Sequence, residues 1–169
     1  MTIVTEQLST IDPTHVRDVM SKVPTSVTVV AGQPELTGER AAMIVGSFVF
    51  ISLHPCLVGF FVSHESTSWP QLNKATVLGI SILASTQKQF CRKLGKKDAD
   101  RFDDEFWTRG NFGAPLATGA LASMECQLEN VTPVGDHAFV LAPVLGLSAS
   151  STTDPLVFQN HEFSGLLPR

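Results

Sequence analysis

Apolar residues fall along this chain in short runs rich in Val, Ile and Phe, each closed by Gly, Pro, Asn or Asp. Runs of this kind fit a pleated, half-buried surface and read as strands. Strands are expected at 25–31 (TSVTVVA), 41–53, 57–63, 77–83, 121–131 and 138–147, with a short one at 156–158. The turn between the last two long strands falls around Pro133, Gly135 and Asp136. Helical spacing is rarer. Asp12-Pro13 is a helix start, and Val16, Val19, Met20 and Val23 recur at helical spacing, so 13–22 is expected to be a short amphipathic helix that Pro24 stops. A brief helix is expected at 66–73, and another from Thr86 to about Leu94, ended by Gly95. The polar and aromatic stretch 98–115 reads as a short helix plus a loop.

No Asp, Glu, Lys or Arg occurs between Arg40 and Glu65. The length would suit a membrane span. His54-Pro55 in its middle and the interruptions at Gly46, Ser47 and Ser52 argue instead for two buried strands joined at a turn. The pattern as a whole does not alternate strand and helix, so a doubly wound parallel sheet is not expected. Six or seven mainly antiparallel strands must close into a barrel or pair as sheets to hide their edges. The expected organisation is a flexible segment at 1–12 and one β-rich domain over 13–169.

Composition narrows the function. The chain has 169 residues, 43% hydrophobic and 17% charged, which suits a large core or a buried oligomer interface. A net charge of −4 gives no electrostatic footprint for nucleic acid. Cys56, Cys91 and Cys126 are odd in number and form no C-x-x-C, so neither a disulfide framework nor a zinc ribbon is expected, and a reducing, cytoplasmic location is. There is no G-x-G-x-x-G, Walker loop, G-x-S-x-G or helical H-x-x-x-H, and no tyrosine. A chain so poor in nucleophiles points to chemistry borrowed from a cofactor that the protein positions and shields.

Three segments are candidates for that positioning. In Met43-Ile44-Val45-Gly46-Ser47-Phe48 a Gly-Ser pair interrupts bulky residues, marking either close approach of a ligand or tight packing at a barrel corner. In Ser63-His64-Glu65-Ser66-Thr67-Ser68-Trp69-Pro70 hydroxyls and free N–H groups at a helix start make either a phosphate site or an ordinary cap. Gly135-Asp136-His137 is either a solvated turn or an imidazole at a pocket mouth. Lys88, Arg92, Lys93, Lys96, Lys97 and Arg101 form either a solvated helix face or an attraction for an anionic cofactor or dinucleotide.

Taken in order, these segments resemble the flavin reductase family with the split-barrel FMN-binding fold, the small reductase components of two-component flavin monooxygenases. The likeness runs over about 16–163 and is carried by VRDVMSKVPTSVTVVA, VGSFVFISLHPCLVGFFV, SHESTSWPQL, ILASTQKQFCRKLG, DRFDDEFW and GAPLATGALASMECQLENVTPVGDHAFVL. It implies a split β-barrel with short flanking helices and a homodimer binding FMN or FAD near the subunit interface. It further implies hydride supply from NADH or NADPH, and a partner monooxygenase reached through diffusing reduced flavin. No membrane or nucleic acid is implied. By position, Val45, Gly46, Ser47 and Phe48 would meet the isoalloxazine through backbone groups. Ser66, Thr67, Ser68 and Trp69 would lie at the ribityl phosphate, and Leu83, Ala84 and Gln87 along the flavin's other side. His137 would stand where the nicotinamide docks.

The chain departs from the family's pattern at Ile44, where many members carry a hydroxyl, at Glu65 beside the phosphate turn, and at Pro143 in the last long strand. A non-catalytic flavin-binding dimer, or a flavin-dependent oxidase of another small substrate, are the alternatives on the same fold.

Overall fold

Asp12 opens the first helix, α1 (Pro13–Met20), its carboxylate accepting from the Thr14 N–H. Strands β1 (Thr25–Ser26), β2 (Thr28–Gly32), β3 (Ala41–Val45), β4 (Val49–Ser52) and β5 (Leu57–Ser63) follow, then the single turn α2 (Trp69–Leu72). Next come β6 (Val77–Ile82), α3 (Lys88–Leu94), β7 (Trp107–Arg109), β8 (Pro115–Ala117), β9 (Ala122–Gln127), β10 (Asn130–Val134) and β11 (His137–Ala149). The hairpin β12 (Val157–Gln159) and β13 (Glu162–Ser164) ends the chain. This computed structural model describes residues 11–96, 101–150 and 154–165, so nearly all of the segment expected to be flexible, and Lys97, lie outside it.

The main sheet runs β3-β2-β6-β9-β11-β5-β4, with β10 also on β11, and every pairing is antiparallel. Strand β11 is the hinge of this sheet. Its first half pairs with β5 and β10, and its second half, from Val144, pairs with β9 across an irregularity at Val144/Gly146. Pro143 sits at that change of partner, where a missing N–H costs the ladder least. The sheet thereby curls until its two edge strands, β3 and β4, are joined by residues 46–48 alone.

Strand β2 explains the core. Val30 points into the barrel with Phe60, Val62, Leu78, Ile80 and Val140, while Val27, Val29 and Ala31 point outward under α3 against Phe90, Leu94, Trp107 and Leu156. Burial on both faces accounts for its unbroken β-branched run, and each such Val, Leu, Ile or Phe contributes about 1.5–3 kcal/mol.

Several expectations are corrected. The run 41–53 is two strands, broken at 46–48. The second of these is not buried: Val49, Phe50, Ile51 and Leu53 are 42–66% exposed in the single chain. The apolar stripe of α1 is likewise exposed. The stretch 98–115 holds strand β7 and the start of β8 rather than only helix and loop, and the described residues contain more strand segments than six or seven. Residue 79 must be glycine, because any side chain there would strike the Pro115 carbonyl where β8 crosses β6.

Candidate active site at the barrel seam

At the seam between the two sheet edges, the Ser47 side chain is hydrogen-bonded to β5. Ser47 Oγ accepts from the Phe61 N–H at 2.9 Å and donates to the Phe61 carbonyl at 3.2 Å. The β4–β5 register places Val49 opposite Gly59, so Ser47 stands opposite Phe61 with its hydroxyl doing what backbone does elsewhere in the ladder. The N–H groups of Gly46, Ser47 and Phe48 meanwhile find no partner among the described residues. Gly46 has its own reason to lack a Cβ, which would lie 2.8 Å from Thr25 Oγ1. Tight packing and an open backbone coincide here.

A cavity of about 380 Å³ opens at this seam, lined by Met43, Ile44, Val45, Gly46, Ser47, Phe61, Val62, Ser63, Ser66 and His137. Three separate elements thus meet: the end of β3, the end of β5 with its turn, and the first residue of β11. Its wall is apolar on one side (Ile44, Val45, Phe61) and hydroxyl-bearing on the other (Ser63, Ser66).

Strand β5 ends in a serine turn. Ser63 Oγ accepts from the Glu65 N–H, and Ser66 Oγ accepts from the Trp69 N–H at 3.2 Å while facing Met43 Sδ at 3.8 Å. Ser66 is therefore a cap for α2 as well as cavity wall. Thr67 and Ser68 turn the other way, into an adjoining cavity of about 300 Å³ shared with Arg40, Ala41, Ala42, Gln71, Arg101 and Phe102. Glu65 lines neither cavity.

His137 is set by the β10–β11 hairpin. Val134 pairs with His137, leaving Gly135 and Asp136 as a two-residue turn with Gly135 at φ +62°. The Asp136 carbonyl accepts from the His64 N–H, tying this hairpin to the serine turn. His137 Nδ1 lies 2.6 Å from Asp136 Oδ1, and this hydrogen bond, reinforced by the imidazole's charge, holds the Asp136 carboxyl below its ordinary range. The ring stays 42% exposed at the cavity mouth.

The expected site residues divide. Val45, Gly46, Ser47, Ser66 and His137 share the seam cavity, and Thr67 and Ser68 the adjoining one. Phe48 and Trp69 are half-buried against the barrel core, Trp69 edge-on to Phe60, so only their backbone is near the seam. Leu83 and Ala84 are buried, and their N–H groups are taken by the Val27 carbonyl and Gln87 Oε1. Gln87 also donates to the Thr118 carbonyl, bridging two loops, and none of these three lines either cavity. Sequence reasoning missed Phe61, whose signal was its place near the end of a strand running into the serine turn, and named Ser63 only as the start of the serine segment, without a role of its own. The basic cluster disperses: Lys88 donates to the Phe163 carbonyl, Lys93 pairs with Asp103, and Arg101 faces the cavity beside Thr67. Among the described residues no group of His, Cys, Asp and Glu could hold a metal, and no helix is long and apolar enough to cross a membrane.

The donors and walls fit a flavin: unspent N–H groups for the polar edge of a flat ring, apolar side chains for its faces, and hydroxyls for a phosphate. Residues 20–167 match the model of the flavin reductase like domain. A flavin reductase of Pseudomonas putida is 34% identical over 158 residues, covering 93% of this chain and 92% of that protein. The reductase subunit HsaB of a flavin-dependent monooxygenase of Rhodococcus jostii (strain RHA1) is 32% identical over 94% of this chain and 80% of its own. The structure of the NADH:FAD oxidoreductase SgcE6 of Streptomyces globisporus C-1027, in complex with NAD and FAD fragments, superposes with a TM-score of 0.85 at 29% identity, over 93% of this chain and 94% of that one. The chain belongs to the flavin reductase family. It is an enzyme, an NAD(P)H:flavin oxidoreductase of the kind that supplies reduced flavin to monooxygenases.

Proposed function

We propose that the seam cavity is where flavin, FMN or FAD, is held while it is reduced. The observation that carries this is the break at 46–48, where the Gly46 and Ser47 N–H groups, unpartnered among the described residues, border a cavity also lined by Ser66 and His137. When bound, flavin supplies the redox chemistry, taking a hydride from NADH or NADPH. The chain's own residues do the rest. The N–H groups of 46–48 fix the ring's polar edge, and Ile44, Val45 and Phe61 exclude water from its faces. Thr67 and Ser68 offer hydroxyls to the phosphate. His137 at the mouth orients the nicotinamide and is itself steered by Asp136. Hydride transfer needs no protein base, and stacking and orientation supply the rate.

The working unit is a homodimer. Strand β4 is a sheet edge whose Val49, Phe50 and Ile51 are exposed, with Leu53 beyond it, and an apolar edge left bare invites association. The reduced flavin then passes to a monooxygenase by diffusion. Free thiols and the demand for NAD(P)H support a cytoplasmic setting. The test is steady-state oxidation of NADH or NADPH with added FMN or FAD in air: turnover with one pairing supports the reading, and flavin binding without turnover favours the non-catalytic alternative.

A further inference from the structure

Beyond the end of β3 that lies away from the seam is a further cavity of about 400 Å³, bounded by the β2–β3 loop, the start of β6 and the β7–β8 loop. It shares no residue with the seam cavity or with the one adjoining it. Both of its loops are pre-set. Gln33 Nε2 donates to the Gly38 carbonyl at 2.7 Å, and the Gly38 N–H to the Pro34 carbonyl at 2.9 Å. On the other loop the Gly110 N–H donates to the Ala114 carbonyl, and buried Glu125 accepts from the Phe112 and Ala114 N–H groups. Phe112 is 51% exposed, yet its ring is backed by Gly146, where an added Cβ would lie 3.1 Å from it. The Arg109 guanidinium is laid against Gly113 in the same way, at 3.3 Å from where a Cβ would stand.

The wall of this cavity carries one charge of each sign. Arg109 and Glu35 are paired neither with each other nor with any other charged group among the described residues. Glu35 Oε1 accepts from the Thr76 hydroxyl at 3.4 Å, which sets it on the wall beside Val77. We infer that the cavity is a binding site for a free aromatic α-amino acid in its zwitterionic form. The α-carboxylate takes Arg109, whose planar guanidinium presents two parallel N–H groups to a carboxylate. The α-ammonium takes Glu35, so a ligand with both charges satisfies a wall that a simple acid or a simple amine would leave half unpaired. The aromatic side chain lies against Phe112 and Val77, where a ring on a ring gains beyond the area it buries. The volume falls within the range of small-molecule sites, and walls fixed by their own hydrogen bonds lower the cost of ordering on binding. No residue used here contacts the flavin in the reading above, so the two stand or fall separately.

The experiment is calorimetric titration of the full chain, with and without saturating flavin, by L-phenylalanine and L-tryptophan. The comparison probes are 3-phenylpropionate and phenethylamine, which keep one charge each, and glycine, which keeps both charges without the ring. The wild type should bind at least one of the two aromatic amino acids with a Kd below about 1 mM, and each comparison probe at least about tenfold more weakly. Arg109→Ala and Glu35→Gln should each weaken the amino acid about tenfold, while the thermal melt and the rate of nicotinamide oxidation stay at wild-type values. Absence of saturable binding of both amino acids up to about 5 mM overturns the inference. So does binding that both variants leave unchanged. Equal affinity for 3-phenylpropionate and L-phenylalanine overturns it too, because Glu35 would then have no ligand charge to meet. Binding abolished by saturating flavin would put the amino acid at the seam and overturns it as well.

Discussion

The hydroxyl of Ser47 holds both backbone groups of Phe61, at 2.9 and 3.2 Å, and in doing so closes the barrel where its two sheet edges meet. Ser47→Ala would leave a backbone donor unpaired at the seam, a loss of about 1–3 kcal/mol. The melting temperature should fall by roughly 2–10 °C, and flavin should bind more weakly because 46–48 is released. Calorimetry with and without flavin reads both. A wild-type melt would mean that the clasp holds nothing.

Ser66 and Thr67 should separate cleanly. Ser66 caps α2 through the Trp69 N–H, so Ser66→Ala should lower stability by about 0.5–2 kcal/mol. Thr67 is exposed and faces the adjoining cavity, so Thr67→Ala should leave the melt unchanged. It should weaken FMN and FAD by about tenfold, the worth of a hydrogen bond to a charged group, and leave riboflavin untouched.

His137 lines the seam cavity with its ring still 42% exposed. His137→Ala should lower kcat/KM for the nicotinamide about tenfold with flavin affinity within about twofold. Its partner constrains the pH profile. A carboxyl with a depressed folded pKa contributes above its unfolded value, here 3.8, and loses that contribution only as pH falls through the lower folded value. Asp136 therefore stays ionised down to about pH 4, and Asp136→Asn should remove no acid limb between about pH 5 and 7. A limb there that disappears in the variant would contradict the assignment.

Burial pushes the thiols of Cys91 and Cys126 up to about 11 and 12, with the neighbouring Cys56 and Glu125 adding to the shift of Cys126. Groups whose folded pKa is raised stabilise the fold fully below the unfolded value near 9 and lose that contribution as pH rises toward the folded value. Stability should decline from about pH 9 to 11, and Cys91→Ser with Cys126→Ala should flatten the decline. Alkylation at pH 8 followed by mass spectrometry should modify these two only after denaturation.

Phe50→Glu with Ile51→Glu should convert a dimer to a monomer, measured by light scattering, since both side chains are exposed on the edge strand β4. Dimers surviving both charges would place the interface elsewhere.

Much of this was legible from residue type. The β-branched run at β2, the turn at His54-Pro55, the serine turn and the hairpin at Gly135-Asp136 all follow from local chemistry. What was hidden depends on partners distant in sequence. Residues 46–48 look like a continuing strand until β5 is seen to pair with only one side of the break. The three-residue strands β7 and β8 exist because β8 is buried under the sheet, not because Trp107–Arg109 or Pro115–Ala117 favours a strand. Glu125 is indistinguishable in sequence from a solvated strand residue, yet it is buried and accepts from the Phe112 and Ala114 N–H groups, fixing the loop before β8. Gln87 reads as a ligand contact by resemblance, whereas its amide is spent on Ala84 and Thr118. Strand β4 reads as buried because hydropathy alone does not tell a core strand from an exposed apolar sheet edge.

The most direct test of the seam as the site of flavin reduction is anaerobic titration of the flavin-loaded protein with NADH and with NADPH, following the visible flavin band. Stoichiometric bleaching by one nicotinamide, slowed in His137→Ala at unchanged flavin affinity, is the expected result. Bound flavin that neither nicotinamide bleaches would contradict it.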